Sequence, residues 1–300
     1  CRRMTASAHT AGVDPPKNTL LRPRVNVSCL TPKLMDADLF TPIPRKTLFG
    51  VPCSALFGDC LDVMQGMDSE TVDLIYIDPP YYSQADYKGD SGAFSDKWES
   101  LHQYLNWMVV RLYEMKRLLK PTGSIYLHCD WHASHYLKVE MDKIMGDECF
   151  LNDVAWLYGL GGSSPRYWPR KHDSLLWYAK QAGKHYFTAD MIPATSNRMA
   201  GEMKKAPDFW DIPAVNNMAK ERNGYPTQKP EALLERVIRS SCPEGGTVAD
   251  FFCGSGTTAA VAQRMGRNWI TCDKSQEAIN LATKRIFSLP NTVVQPKKQV

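Results

Sequence analysis

Two short stretches hold the residues whose types and spacing can do chemistry. The first is Asp78-Pro79-Pro80-Tyr81, which follows the apolar run Leu74-Ile75-Tyr76-Ile77. The run reads as a buried parallel strand, and it stops at two prolines that cannot donate to a sheet. Ligands of open α/β sheets sit outside the carboxyl ends of strands. There Asp78 offers a carboxylate, Pro79 a rigidly aimed carbonyl and Tyr81 a stacking face. Two acceptors suit an NH2 group and a ring suits a flat heterocycle, which together describe adenine or cytosine. Taken alone, Asp-Pro-Pro-Tyr reads equally well as a turn.

The second stretch, about 170 residues downstream, runs Asp250-Phe251-Phe252-Cys253-Gly254-Ser255-Gly256-Thr257. A strand over Thr247–Phe252 leads into it, a helix to Met265 leaves it, and a strand at Asn268–Cys272 ends beside Asp273. Gly254 and Gly256 allow a tight turn and close approach of a ligand. Asp273 lies 19 residues past Gly254 (273 − 254), the spacing at which an acid accepts from ribose hydroxyls. The third glycine of the dinucleotide pattern and the lysine of a phosphate loop are both missing, so a nucleoside without pyrophosphate is expected. Asp250 is placed to bind a cationic amino group. Ribose, amino acid and no phosphate point to S-adenosylmethionine, with Phe252, Ser255 and Thr257 completing the turn that holds it.

These stretches need a scaffold. Strands are expected at Ser54–Cys60, Asp73–Asp78, Ser124–Asp130, Val154–Tyr158 and Ser174–Ala179, with Pro121-Thr122-Gly123 as a turn. Helices are expected over Leu61–Met67, from Leu101 to Leu119, from His132 to Met145, and over Glu231–Ser241 and Glu277–Phe287. Such alternation implies a mostly parallel sheet covered on both faces. Tyr82 to Trp98 reads as a polar, patternless loop suited to closing over the acceptor. Residues 1–45 read as an extended, disordered basic lead-in and 291–300 as a frayed tail. Residues 46–290 read as one domain, with a catalytic half at 54–180, an insert near 181–224 and a cofactor half at 225–290. The first residue is Cys1 and not Met, which suggests a fragment.

The chain has 300 residues, 43% hydrophobic and 23% charged, as expected of a globular protein with a real core. Its net charge of +4 permits a nucleic-acid partner without demanding one. Nine cysteines without paired spacing read as reduced thiols of an intracellular protein. No apolar run approaches the roughly 18 residues of a membrane span.

The two stretches in this order resemble the DNA amino-methyltransferases that modify exocyclic nitrogens, and specifically their circularly permuted beta group. Tyr225-Pro226-Thr227-Gln228-Lys229-Pro230 resembles the segment that precedes the cofactor strand in that family. The resemblance covers roughly Leu56 to Phe287 and implies a Rossmann-like α/β methyltransferase fold, with a mostly parallel seven-stranded sheet and one antiparallel strand. It implies S-adenosylmethionine as cofactor, double-stranded DNA as partner, a target-recognition region at about Gln181 to Gly224, and a homodimer. It places the chain in the cytoplasm with the nucleoid in a bacterium, or in the nucleus of a eukaryote. Lys229, from the pre-strand motif, and Asp59, from the end of a neighbouring strand, join the cofactor set as weaker members. Asp78 as the first motif residue favours adenine N6, and cytosine N4 is the alternative. RNA or protein-amide methylation is disfavoured, because related enzymes place the cofactor motif first.

Three further stretches carry residues that could do chemistry. Arg166, Tyr167, Trp168, Arg170 and Lys171 interleave cations with aromatics as DNA-binding surfaces do, though a solvated loop would look the same. Pro52-Cys53 mimics a cytosine-carbon nucleophile but reads as a buried structural cysteine. The cluster from His128 to His135 invites a metal, yet it spans a strand end and a helix start, so no metal is expected.

Overall fold

The computed structural model describes residues 53–159, 163–194, 198, 201–216 and 218–288. The expectations for residues 1–45 and 291–300 lie outside these. Twelve strands and six helices are described, and their order sets up the site. The first half contains β1 (Ser54–Phe57), α1 (Cys60–Gln65), β2 (Val72–Ile77), β3 (Asp86–Gly89), β4 (Gly92–Ser95), α2 (Leu101–Leu118), β5 (Leu119–Cys129) and α3 (Ser134–Met145). The middle holds β6 (Phe150–Leu157), β7 (His172–Ala179), β8 (Met191–Pro193), β9 (Met203–Lys205) and β10 (Phe209–Asp211). The last part is α4 (Glu231–Ser241), β11 (Thr247–Asp250), α5 (Thr257–Arg264), β12 (Asn268–Asp273) and α6 (Gln276–Phe287).

The main sheet has eight strands in the order β1-β12-β11-β2-β5-β7-β6-β10. Only β7 runs antiparallel to its neighbours β5 and β6. The expected seven strands with one reversed are therefore present, and β10 adds an eighth, parallel to β6 with Trp210 opposite Trp156. This edge strand comes from the stretch assigned to an insert. It was invisible in the sequence because three residues carry no usable periodicity.

Strand β2 shows how the layers form. All six of its residues are buried. Ile75 and Ile77 pack with Met108, Leu112 and Met115 of α2 on one face. Leu74 and Tyr76 pack with Leu233 and Val237 of α4 on the other. Alternation on a strand buried on both sides gives a continuous apolar run, as read from the sequence.

The decisive feature is adjacency. β11 pairs with β2, Val248 opposite Leu74 and Ala249 opposite Ile75. Residues about 170 apart in the chain thus end on neighbouring strands, and both chemical stretches open into one crevice.

Two local expectations are corrected. Pro121-Thr122-Gly123 is no turn: β5 runs unbroken from Leu119 to Cys129, with its register against β2 shifting between Val72 and Leu74. The stretch from Tyr82 to Trp98 is not patternless coil, because it holds the antiparallel hairpin β3–β4. No described helix is long and apolar enough to cross a membrane.

Candidate active site

β2 delivers Asp78 to the crevice at its carboxyl end. Lys229 Nζ donates to Asp78 Oδ2 at 2.5 Å, and the Tyr81 hydroxyl donates to Oδ1. His128 Nδ1 lies 3.8 Å from the same carboxylate, since β5 pairs beside β2 with Leu127 opposite Ile77. Two expectations change here. Tyr81 does not present a free stacking plate: its ring tilts against His128, centroids 5.9 Å apart, and its hydroxyl is committed to Asp78. Lys229 does not point to the second motif: its ammonium is bound to Asp78 and lies 5.6 Å from the Tyr81 ring centre. Burial first, and then the Asp78 carboxylate, push the Tyr81 hydroxyl well above its ordinary range, so it stays a donor.

Behind this cluster stands a buried network that the sequence did not reveal. His128 is fully buried. The Tyr76 hydroxyl lies 2.7 Å from its Nδ1 and Asp173 Oδ2 lies 3.2 Å from its Nε2. Burial raises the Asp173 carboxyl most, but the hydrogen bond and charge of His128, with Lys229 and Tyr158, together outweigh it and the group ends below its usual range. The Asp173 carboxylate accepts a hydrogen bond from Nε2–H and leaves Nδ1 to accept from the Tyr76 hydroxyl. The His128 to His135 cluster is therefore split: His128 turns to Asp173, whereas His132 bonds Asp130.

Asp96 is a second residue that sequence reasoning missed. It is buried, and it accepts from the backbone N–H groups of Tyr81, Tyr82 and Ser83, the Ser83 hydroxyl and Trp98 Nε1, all at 2.7–3.0 Å. One carboxylate thus fixes the chain leaving Asp-Pro-Pro-Tyr. The Pro80 carbonyl is occupied too, accepting from the Tyr104 hydroxyl at 2.8 Å. A lone acid in a polar stretch gives no sequence signal of such a role.

The hairpin β3–β4 covers the crevice. Tyr87 and Phe94 stack at 4.8 Å, and at the tip Ser91 donates through its N–H to the Gly224 carbonyl and through its hydroxyl to Asn223. A Cβ on Gly92 would stand 2.8 Å from the Tyr225 ring, so this close seat needs glycine.

At the second motif, Asp250 is buried and accepts from Thr258 Oγ1 at 2.6 Å and Phe252 N–H at 3.0 Å. Burial pushes its carboxyl up to about 7. Asp273 accepts from the N–H groups of Gly254 and Ser275, both at 2.9 Å, and burial raises it as well. Among the described residues neither has an ion-pair partner. Asp59, which caps α1, is held instead by both oxygens on Arg111 at 2.8 Å. Gly254 and Gly256 both adopt positive φ, 46° and 73°. Their tight clearances face protein: an added Cβ would meet the Tyr225 ring at 2.8 Å and Ala282 of α6 at 2.6 Å, respectively. Thr257 Oγ1 accepts from Arg285 at 2.8 Å.

One cavity is lined by Asp78, Pro79, Pro80 and Tyr81 together with Asp59, Lys229, Asp250, Phe252, Gly254, Ser255, Thr257 and Asp273. Gly256 lies behind the wall, packed on α6. Arg166, Tyr167, Trp168 and Arg170 are exposed, and Lys171 half-buried, in the connection from β6 to β7 outside the cavity. Cys53 is exposed and not buried as expected. Among the described residues no three His, Cys, Asp or Glu side chains gather as a metal site.

The cavity's donors and acceptors fit S-adenosylmethionine. Buried Asp250 and half-buried Asp273, neither in an ion pair among the described residues, stand at one end of a part-aromatic cleft and favour a ligand bearing positive charge and hydroxyls. Known proteins agree. The DNA methylase family of N6 and N4 methyltransferases matches residues 72–284. The Type II methyltransferase M.HpaI of Haemophilus parainfluenzae is 32% identical over 234 residues, covering 77% of this chain and 73% of its own. M2.DpnII of Streptococcus pneumoniae is 30% identical, covering 76% and 87%. The cytosine-N4-specific PvuII DNA methyltransferase superposes with a TM-score of 0.60 at 20% identity, covering 81% of this chain and 88% of that one, a likeness of fold. With a cleft built for a cationic nucleoside beside a carboxylate acceptor, and a family match across both motifs, this chain belongs to the N6/N4 DNA methylases.

Proposed function

We propose that the protein methylates the N6 amino group of adenine at a specific site in double-stranded DNA, after the base leaves the stack. The observation that carries this is the joining of the two motifs in one cavity, an acceptor carboxylate at one end and, at the other, two acids with no ion-pair partner among the described residues. When bound, S-adenosylmethionine would supply a sulfonium methyl group to the nitrogen, the N–C bond forming as the S–C bond breaks to leave the neutral thioether, and the methylated nitrogen then loses a proton to solvent.

The chain's residues do the rest. An exocyclic amino group is a poor nucleophile because its lone pair is delocalised into the ring. Asp78 and the Pro79 carbonyl accept hydrogen bonds from its two N–H groups and favour a pyramidal nitrogen with its lone pair freed. Lys229 orients Asp78 from the Oδ2 side. The Tyr81 hydroxyl must leave Oδ1 for the amino group to take its place, which frees the ring to hold the base. Asp250 holds the cofactor's ammonium and Asp273 its ribose hydroxyls. Positioning and preorganised charge provide the acceleration. Asp78 at the first motif position favours adenine.

The test is to incubate protein, duplex DNA and cofactor, digest to nucleosides and identify the product by mass. N6-methyldeoxyadenosine is expected. N4-methyldeoxycytidine alone would reassign the base.

A further inference from the structure

We propose that Trp131, Arg170 and Tyr167 form a preordered clamp for a DNA phosphate beside the nucleotide whose base enters the cavity. The inference rests on the reading of duplex DNA as substrate and adds a residue, Trp131, that no motif singled out. The Arg170 guanidinium lies 3.8 Å from the Trp131 ring centre and 4.6 Å from that of Tyr167. Trp131 in turn rests against His132, ring centroids 3.7 Å apart. Arg170 has no acidic partner among the described residues, unlike Arg111, Arg117, Arg236, Arg264 and Arg285, which all pair with carboxylates.

Rings against the guanidinium restrain it, while its edge N–H groups meet no carboxylate among the described residues. Such a fork suits a pair of coplanar acceptors. Phosphate oxygens and the guanine edge both offer that pair. The surroundings favour phosphate, because Tyr158 to His172 contains Arg166, Arg170 and Lys171 and no acid, a local run of positive charge that a charged backbone satisfies.

Position supports the assignment. Leu157 and His172 pair where β6 ends and β7 begins, at the same end of the sheet as Asp78. Three residues after Arg170, Asp173 bonds His128, which approaches Asp78 at 3.8 Å. Trp131 follows His128 by three residues. The stack therefore stands on the two strands that flank the acceptor network, where the strand carrying an extruded base must pass.

The experiment measures binding by fluorescence anisotropy across a salt series, with S-adenosylhomocysteine present. The probes are a duplex carrying the methylated site and a scrambled duplex. Arg170→Gln is expected to weaken both duplexes alike and to lower the slope of log affinity against log salt by about 1. Trp131→Leu keeps the charge, so the slope should hold while affinity falls about threefold from lost ordering. Unchanged affinity and slope in Arg170→Gln would overturn the clamp. Loss confined to the site duplex would overturn it too, because the fork would then read a base. If the wild-type protein binds neither duplex, the DNA reading itself fails, which is a distinct result.

Discussion

At one end of the cavity Asp78 meets an ammonium, a phenol and the edge of a buried imidazole. At the other, Asp250 and Asp273 accept from a hydroxyl and backbone N–H groups, with no ion-pair partner among the described residues. The carboxylates stand on neighbouring strands and differ mainly in their cations. A satisfied carboxylate can take a substrate only by exchanging partners, so its energy is spent on orientation. An uncompensated pair gains from any ligand that brings positive charge, so it serves affinity. The division matches a direct displacement, in which one end must hold a cation and the other must steer a neutral amine.

Changes that abolish the contrast test it. Lys229→Met removes the cation from the acceptor end. Turnover should fall roughly tenfold to a hundredfold, with S-adenosylmethionine affinity by calorimetry unchanged; a parallel loss of affinity would return Lys229 to the cofactor.

At the opposite end the sign of the pH effect is fixed. A carboxyl normally ionises near pH 4, but folded Asp250 keeps its proton up to about 7. Ionising it in the ligand-free protein therefore costs stability as pH rises through that window, and a cationic ligand recovers the cost. Cofactor affinity should rise about tenfold between roughly pH 6 and pH 8, then level off. Asp250→Asn should flatten the profile; titrations showing the same slope in both proteins would remove Asp250 from the contact.

Gly256→Ala probes the wall, placing a Cβ 2.6 Å from Ala282 at positive φ. A loss of about 1–3 kcal/mol in chemical denaturation is expected. The smallest effect belongs to Tyr81→Phe, which deletes the hydroxyl that competes for Asp78. One neutral hydrogen bond is worth about 1 kcal/mol, so KM for DNA should drop by no more than about fivefold; a rise would mean that the hydroxyl assists binding.

These contrasts were only half legible in the chain. The apolar run before Asp78 and the glycine turn after Asp250 announced themselves, because strand burial and tight turning restrict residue type. What each side chain touches was not legible. Lys229 reaches Asp78 from 151 residues away, and Asp96 and Asp173 gain their roles only once the loop is folded by Tyr81 and β7 lies beside β5. Gly254 and Gly256 were read as room for a ligand, when their clearances face Tyr225 and Ala282. Periodicity reports which face is buried, whereas partner choice depends on tertiary adjacency.

The most direct test of the division between the two ends is single-turnover methylation by Asp78→Ala at saturating S-adenosylmethionine, with cofactor affinity measured on the same preparation. The account predicts at least a ~100-fold loss of rate, with cofactor and DNA affinities nearly intact. Substantial methylation, or a rate loss explained by lost cofactor binding, would contradict it.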